Sequence, residues 1–108
     1  MISHSAHPAR LARRFTPAGR ILNESVASLF WMHLRIPETV TRSDVEGAVV
    51  EVVHLVLMNR RQAVVAGRIT ELQRAWLPGL NDVSHIEGLT ARLMDMVRRT
   101  DGLTRVLA

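Results

Sequence analysis

The stretch Ser43-Asp44-Val45-Glu46-Gly47-Ala48-Val49-Val50-Glu51-Val52-Val53-His54-Leu55-Val56-Leu57-Met58 decides the fold. Its valines favour a strand by intrinsic preference. A strand would place Glu51 and Val53 on one face and Val52 and His54 on the other, so polar and apolar residues would not separate. A helix separates them. Asp44, Gly47, Glu51, His54, Met58 and Arg61 recur at steps of three and four, leaving one narrow polar stripe and an otherwise apolar circumference. Ser43 and Glu46 have the S-x-x-E spacing of a capping box, which places the helix start near Ser43. The acids Asp44 and Glu46 suit the positive end of the helix dipole.

Downstream, Gln62, Val65, Ile69, Leu72 and Trp76 continue at helical spacing, and no strong stop precedes Pro78. Gly67 and Asn59-Arg60-Arg61 are weak interruptions. A continuous helix from Asp44 to Trp76 would be about 50 Å long at ~1.5 Å per residue. A compact chain of this length has a radius of gyration of about 13 Å. The helix would therefore overhang its own domain and expose apolar surface. Two-fold pairing covers such a surplus in both copies at once, which nominates Val52, Val56, Val65, Ile69 and Leu72 as homodimer contacts; the alternative is a break at Asn59 or Gly67 that folds the run back into a monomeric bundle.

Upstream, Thr16 can cap a helix whose first residue is Pro17. Pro37 disfavours helical geometry at Ile36, so this helix should end near Arg35. Ile21, Ser25, Leu29 and Met32 form one stripe, with Leu22, Val26 and Phe30 beside it and Trp31 and Leu34 toward another side. The end of this helix is apolar on several sides, and Leu29, Phe30, Trp31, Leu34 and Ile36 are the candidate partner-binding residues. Leu77-Pro78-Gly79-Leu80 reads as a turn. A third helix starts from a Ser84/Glu87 box, carries the stripe Ile86, Leu89, Leu93, Met96 and Val97, and stops at Gly102 as C-terminal cap. The expected fold is an all-α bundle of about three main helices with one long central helix, paired side by side or intertwined as a homodimer.

The 108 residues fit one domain. Residues 1–15 read as a basic arm, and residues 16–108 as the helical domain. The net charge of +4 belongs to the start of the chain. Arg10, Arg13, Arg14 and Arg20 stand without an acid, while the rest balances ten arginines against ten acids. All basic residues are arginine, which suits interfaces because its planar head is weakly hydrated. The absence of cysteine excludes disulfides and thiolate metal sites and fits a cytoplasmic protein. No apolar run reaches the ~20 residues of a membrane span. The longest, Ala48 to Met58, is interrupted by Glu51 and His54.

No constellation points to catalysis or to a cofactor. Glu51 and His54 share a helix face as in half of a carboxylate-bridged di-iron site, but the second Glu-x-x-His pair is missing. They read as an ordinary polar stripe. His4 and His7 have ligand-like spacing in the arm, and His33 and His85 stand alone. No glycine-rich phosphate loop and no nucleophile elbow is present. The arm, with Arg60-Arg61 and Arg98-Arg99, supports nonspecific contact with phosphates, so a small DNA-associated regulator is the alternative reading. A neutral body and a valine-rich longest helix do not suit base recognition.

The opening Met1-Ile2-Ser3-His4-Ser5, the valine-rich central helix and the following Trp76-Leu77-Pro78-Gly79 resemble the small quorum-sensing anti-activators of Pseudomonas. The resemblance extends over the whole chain and rests on overall similarity, with no diagnostic motif. It implies a helical homodimer that binds the ligand-binding domain of a LuxR-type (LasR-like) transcription factor and occupies the surface on which that receptor dimerises. No motif of the family fixes the contact positions.

Overall fold

The computed structural model describes residues 17–107, with side chains described for 19–103. Among the described residues there are four helices and no strand: α1 (Pro17–His33), α2 (Arg42–Leu57), α3 (Gln62–Trp76) and α4 (His85–Leu107). α1 packs on α2 and α4, α3 packs on α4, and α2 touches both α3 and α4. The expected basic arm lies outside the described residues, as does the capping role given to Thr16.

The long central helix is corrected. It breaks at Met58–Arg61, because Asn59 takes a left-handed conformation (φ 62°). Arg60 N–H donates to Leu55 O at 3.1 Å and Asn59 N–H donates to Val56 O at 2.9 Å. These two bonds form a Schellman motif, which satisfies the last carbonyls of α2 and turns the chain back. Asparagine tolerates this backbone region better than other residues with a side chain, because its short amide can bond locally. Gly67, the other weak interruption, lies inside α3 and interrupts nothing.

The break lets the two halves of the apolar run cover each other. Val45, Ala48, Val49, Val52, Val53 and Val56 of α2 are buried, and so are Val65, Ala66, Ile69 and Leu72 of α3. A valine in a helix costs roughly 0.5 kcal/mol against alanine, whereas its full burial contributes about 1.5 kcal/mol or more. Burial wins, and the β-branched run folds as a helix. The radius of gyration, 13.8 Å, is that of a compact chain of this length rather than of one with a protruding rod.

The helix ends differ from the expected ones in detail. α2 is capped by Thr41 and Asp44, not by Ser43 and Glu46: Asp44 N–H donates to Thr41 Oγ1 and Thr41 N–H donates to Asp44 Oδ2, both at 3.1 Å. Asp44 can replace the usual glutamate because its carboxylate already reaches the cap amide. Before α4, the Ser84 hydroxyl donates to Asp82 Oδ1 at 2.7 Å, so the expected bond between Ser84 and the helix is replaced by a local one. Gly102 is not a cap; α4 runs through it to Leu107. The turn at Leu77–Leu80 is present, closed by Leu80 N–H donating to Leu77 O at 3.0 Å.

α1 points Leu22, Val26 and Phe30 into the core at a strict spacing of four, and Leu34, just past its end, continues the series. The stripe expected beside it is mostly outside: Ile21 and Met32 are exposed, and Leu29 is half-buried. The Phe30 ring meets Trp76 edge to face, with centroids 6.5 Å apart. With Leu22, Val26 and Phe30 all inward, Trp31, the next residue, faces outward.

A candidate docking cleft between two helices

Turning Phe30 inward places one face of α1 beside α2 without filling the space between them. An open cleft of about 340 Å³ results. From α1 it is lined by Arg20, Asn23, Glu24, Ala27, Ser28 and Trp31, which lie along one face at steps of three and four. From α2 it is lined by Arg42, Glu46, Val49 and Val50. Ala27, half-buried against the core, and exposed Ser28 present short side chains, so the surface dips there. Trp31, still 48% exposed, stands beside the dip. An aromatic of this size left half in water is an available anchor for a partner.

The charges around the cleft follow a repeated order. On each wall an arginine precedes a glutamate by four residues, Arg20 before Glu24 and Arg42 before Glu46. Among the described residues none of these four forms an ion pair or side-chain hydrogen bond. The rim is therefore neutral in sum but carries both signs in unpaired form.

The candidate partner residues divide. Trp31 is on the surface. Phe30 and Leu34 belong to the core, and Leu29 and Ile36 are half-buried against it. Phe30 and Leu34 are thus removed from the contact set, since a partner could reach them only by opening the bundle. The homodimer set changes more completely. Val52, Val56, Val65, Ile69 and Leu72 are all buried within the single chain and offer no surface to a second copy. The surplus from which they were inferred disappears once α2 and α3 fold on each other.

Of the polar residues singled out for chemistry, Glu51, His33 and His54 are engaged within the fold, while His4 and His7 lie outside the described residues. Glu51 receives Arg68 Nε at 2.7 Å and Arg68 Nη2 at 3.1 Å, a two-pronged bridge that ties α2 to α3. The carboxylate at Glu51 is the main cause that raises the Arg68 pKa further above its ordinary value. His33 Nε2 lies 3.4 Å from Arg92 Nη1, and His85 is the first residue of α4. Among the described residues no group of three or more His, Asp or Glu side chains could hold a metal ion, and no helix is long and apolar enough to cross a membrane.

Most cleft residues were not candidates from the sequence. The available signals were the twice-repeated Arg-x-x-x-Glu and the small pair Ala27-Ser28 ahead of Trp31. Neither is specific until the rotation of α1 is known. Compared with known proteins, the chain matches no family model, no curated protein and no solved structure.

Proposed function

We propose that this chain is a non-enzymatic anti-activator acting in the cytoplasm. It binds the ligand-binding domain of a LuxR-type quorum-sensing transcription factor and occupies the surface on which that receptor pairs. A receptor kept single cannot grip a two-fold DNA site, whose half-sites demand two correctly spaced readers.

The observation that carries this reading is the half-exposed Trp31 beside an open cleft. Exposed Ile21 and Met32 on the same helix add apolar surface. Capture of a dimerisation surface calls for such anchors, because a few large side chains supply most of the energy of a stable interface of about 1,600 Å². The resemblance carried by Met1–Ser5 and Trp76–Gly79 supplies the class of partner.

The test uses purified receptor ligand-binding domain and the full chain. Co-elution of the two, together with loss of receptor from its DNA site in a gel-shift assay, supports the proposal. DNA shifted by the chain alone, with steep salt dependence and no effect on the receptor, would replace it with the DNA-associated reading.

A further inference from the structure

Outside the cleft, Glu51 and the buried polar side chains Gln73 and Thr90 are engaged within the fold. Glu51 is held by Arg68, buried Gln73 by the backbone of Arg35, and buried Thr90 by Ile86 O. The cleft differs because, among the described residues, unpaired charges of both signs flank one apolar floor there.

We infer that the cleft between α1 and α2 seats one amphipathic helix of the protein partner, its apolar stripe against Ala27, Trp31 and Val50 and its flanking acids and bases on the rim. The inference rests on the receptor reading only for which protein supplies that helix.

Length is the first argument. From Arg20 to Trp31 the wall runs twelve residues, about 16 Å between its ends or three helical turns at ~5.4 Å per turn. Three turns present a row of side chains at i, i+4 and i+7, the usual anchors of a helix in a groove. The second argument is charge complementarity. Arg20 and Arg42 ask for carboxylates, and Glu24 and Glu46 ask for bases. A polyanion such as DNA or an acidic membrane would satisfy the arginines and be repelled by both glutamates. A helix carrying acids and bases on its flanks satisfies both walls, and on each wall the opposite charges are four residues apart, as they are along one face of a helix. Unpaired charges then confer selectivity: a wrong partner leaves them facing like charge or desolvated without a bond.

The experiment is calorimetric titration of the receptor ligand-binding domain into wild-type chain, into Ser28→Trp, which fills the dip, and into the double variant Glu24→Arg/Glu46→Arg, which inverts the acidic half of the rim. All three substituted positions are exposed. Circular dichroism identifies any variant that fails to fold, and the other then decides. Expected is a loss of affinity of about tenfold or more in each, no change in Met58→Asp outside the cleft, and deuterium-exchange protection on the receptor confined to one helix. Wild-type affinity in folded Ser28→Trp and in the double variant would overturn the cleft while leaving receptor binding in place. Protection spread over receptor loops or strands would likewise overturn it. Absence of wild-type binding would overturn the receptor reading and the cleft's partner together. A wild-type dimer in sedimentation that Ser28→Trp dissociates would assign the cleft to a second copy instead.

Discussion

The side chain of Gln73 holds Arg35 by both backbone groups: Arg35 N–H donates to Gln73 Oε1, and Gln73 Nε2 donates to Arg35 O, each at 2.7 Å. Gln73 is fully buried, so this amide stands in for one rung of a sheet inside a helical protein. It fastens the segment after α1 to α3 and thereby sets where α1 ends relative to the start of α2. Gln73→Leu keeps the volume and removes both bonds, leaving the Arg35 amide and carbonyl unsatisfied. Urea unfolding should show a loss of about 2–3 kcal/mol. A loss under about 0.5 kcal/mol, within the range of ordinary surface changes, would show that the bridge is dispensable.

Adjacent aromatics on α1 should behave oppositely. Phe30 is fully buried against Trp76, so Phe30→Ala should cost about 3–4 kcal/mol in stability. Trp31→Ala should change stability by less than about 1 kcal/mol and weaken partner binding by about tenfold or more. Thermal unfolding and calorimetry on the same two proteins separate the roles. Equal destabilisation by both would mean that α1 is rotated so that Trp31 also packs in the core.

Asn59, at φ 62°, should accept glycine and resist branched residues. Asn59→Gly should be near neutral, whereas Asn59→Val should cost about 1–2 kcal/mol through strain in the left-handed region. Chemical denaturation of the pair gives the comparison. A neutral valine would argue for a continuous helix through this point, and with it a different core.

Stability should fall in acid for a reason that can be localised. The Asp44 carboxyl is held below its ordinary pKa by the Thr41 amide first and the Thr41 hydroxyl second. Asp82 is lowered mainly by the Ser84 hydroxyl, with the Ser84 amide next. A carboxylate with a depressed folded-state pKa stabilises the fold fully above its unfolded pKa, about 4, and loses that contribution as pH falls through the lower folded value. Thermal midpoints should therefore drop below about pH 4, and Asp44→Asn with Asp82→Asn should flatten that part of the curve. An unchanged acid limb in the double variant would show that other carboxylates control it.

Helical class was legible because Pro17, Pro37 and Pro78 punctuate the chain and the valine run refuses alternation. Two things were not. The first was the break at Asn59, since asparagine is only the second choice after glycine for a left-handed cap and the apolar spacing continues beyond it. The second was the phase of α1. Leu29-Phe30-Trp31 offers apolar side chains in three successive directions, and packing of Leu22, Val26 and Phe30 across the bundle selects the inward one. Both bear on which residues are available as contacts. An unbroken helix implied a homodimer through Val52, Val56, Val65, Ile69 and Leu72, and an unphased α1 admitted Phe30 and Leu34 as contacts. Trp31 was found because it is large and near a helix end. The cleft beside it depends on α2 lying alongside α1 past Ala27 and Ser28, which spacing along one stretch of sequence does not reveal.

The most direct measurement is the mass of the receptor ligand-binding domain by sedimentation, with and without an equimolar amount of this chain. Capture of the pairing surface requires the receptor dimer to vanish and a mixed complex with a single receptor copy to take its place. A receptor dimer that persists beside free chain, or one that binds the chain while still paired, would contradict it.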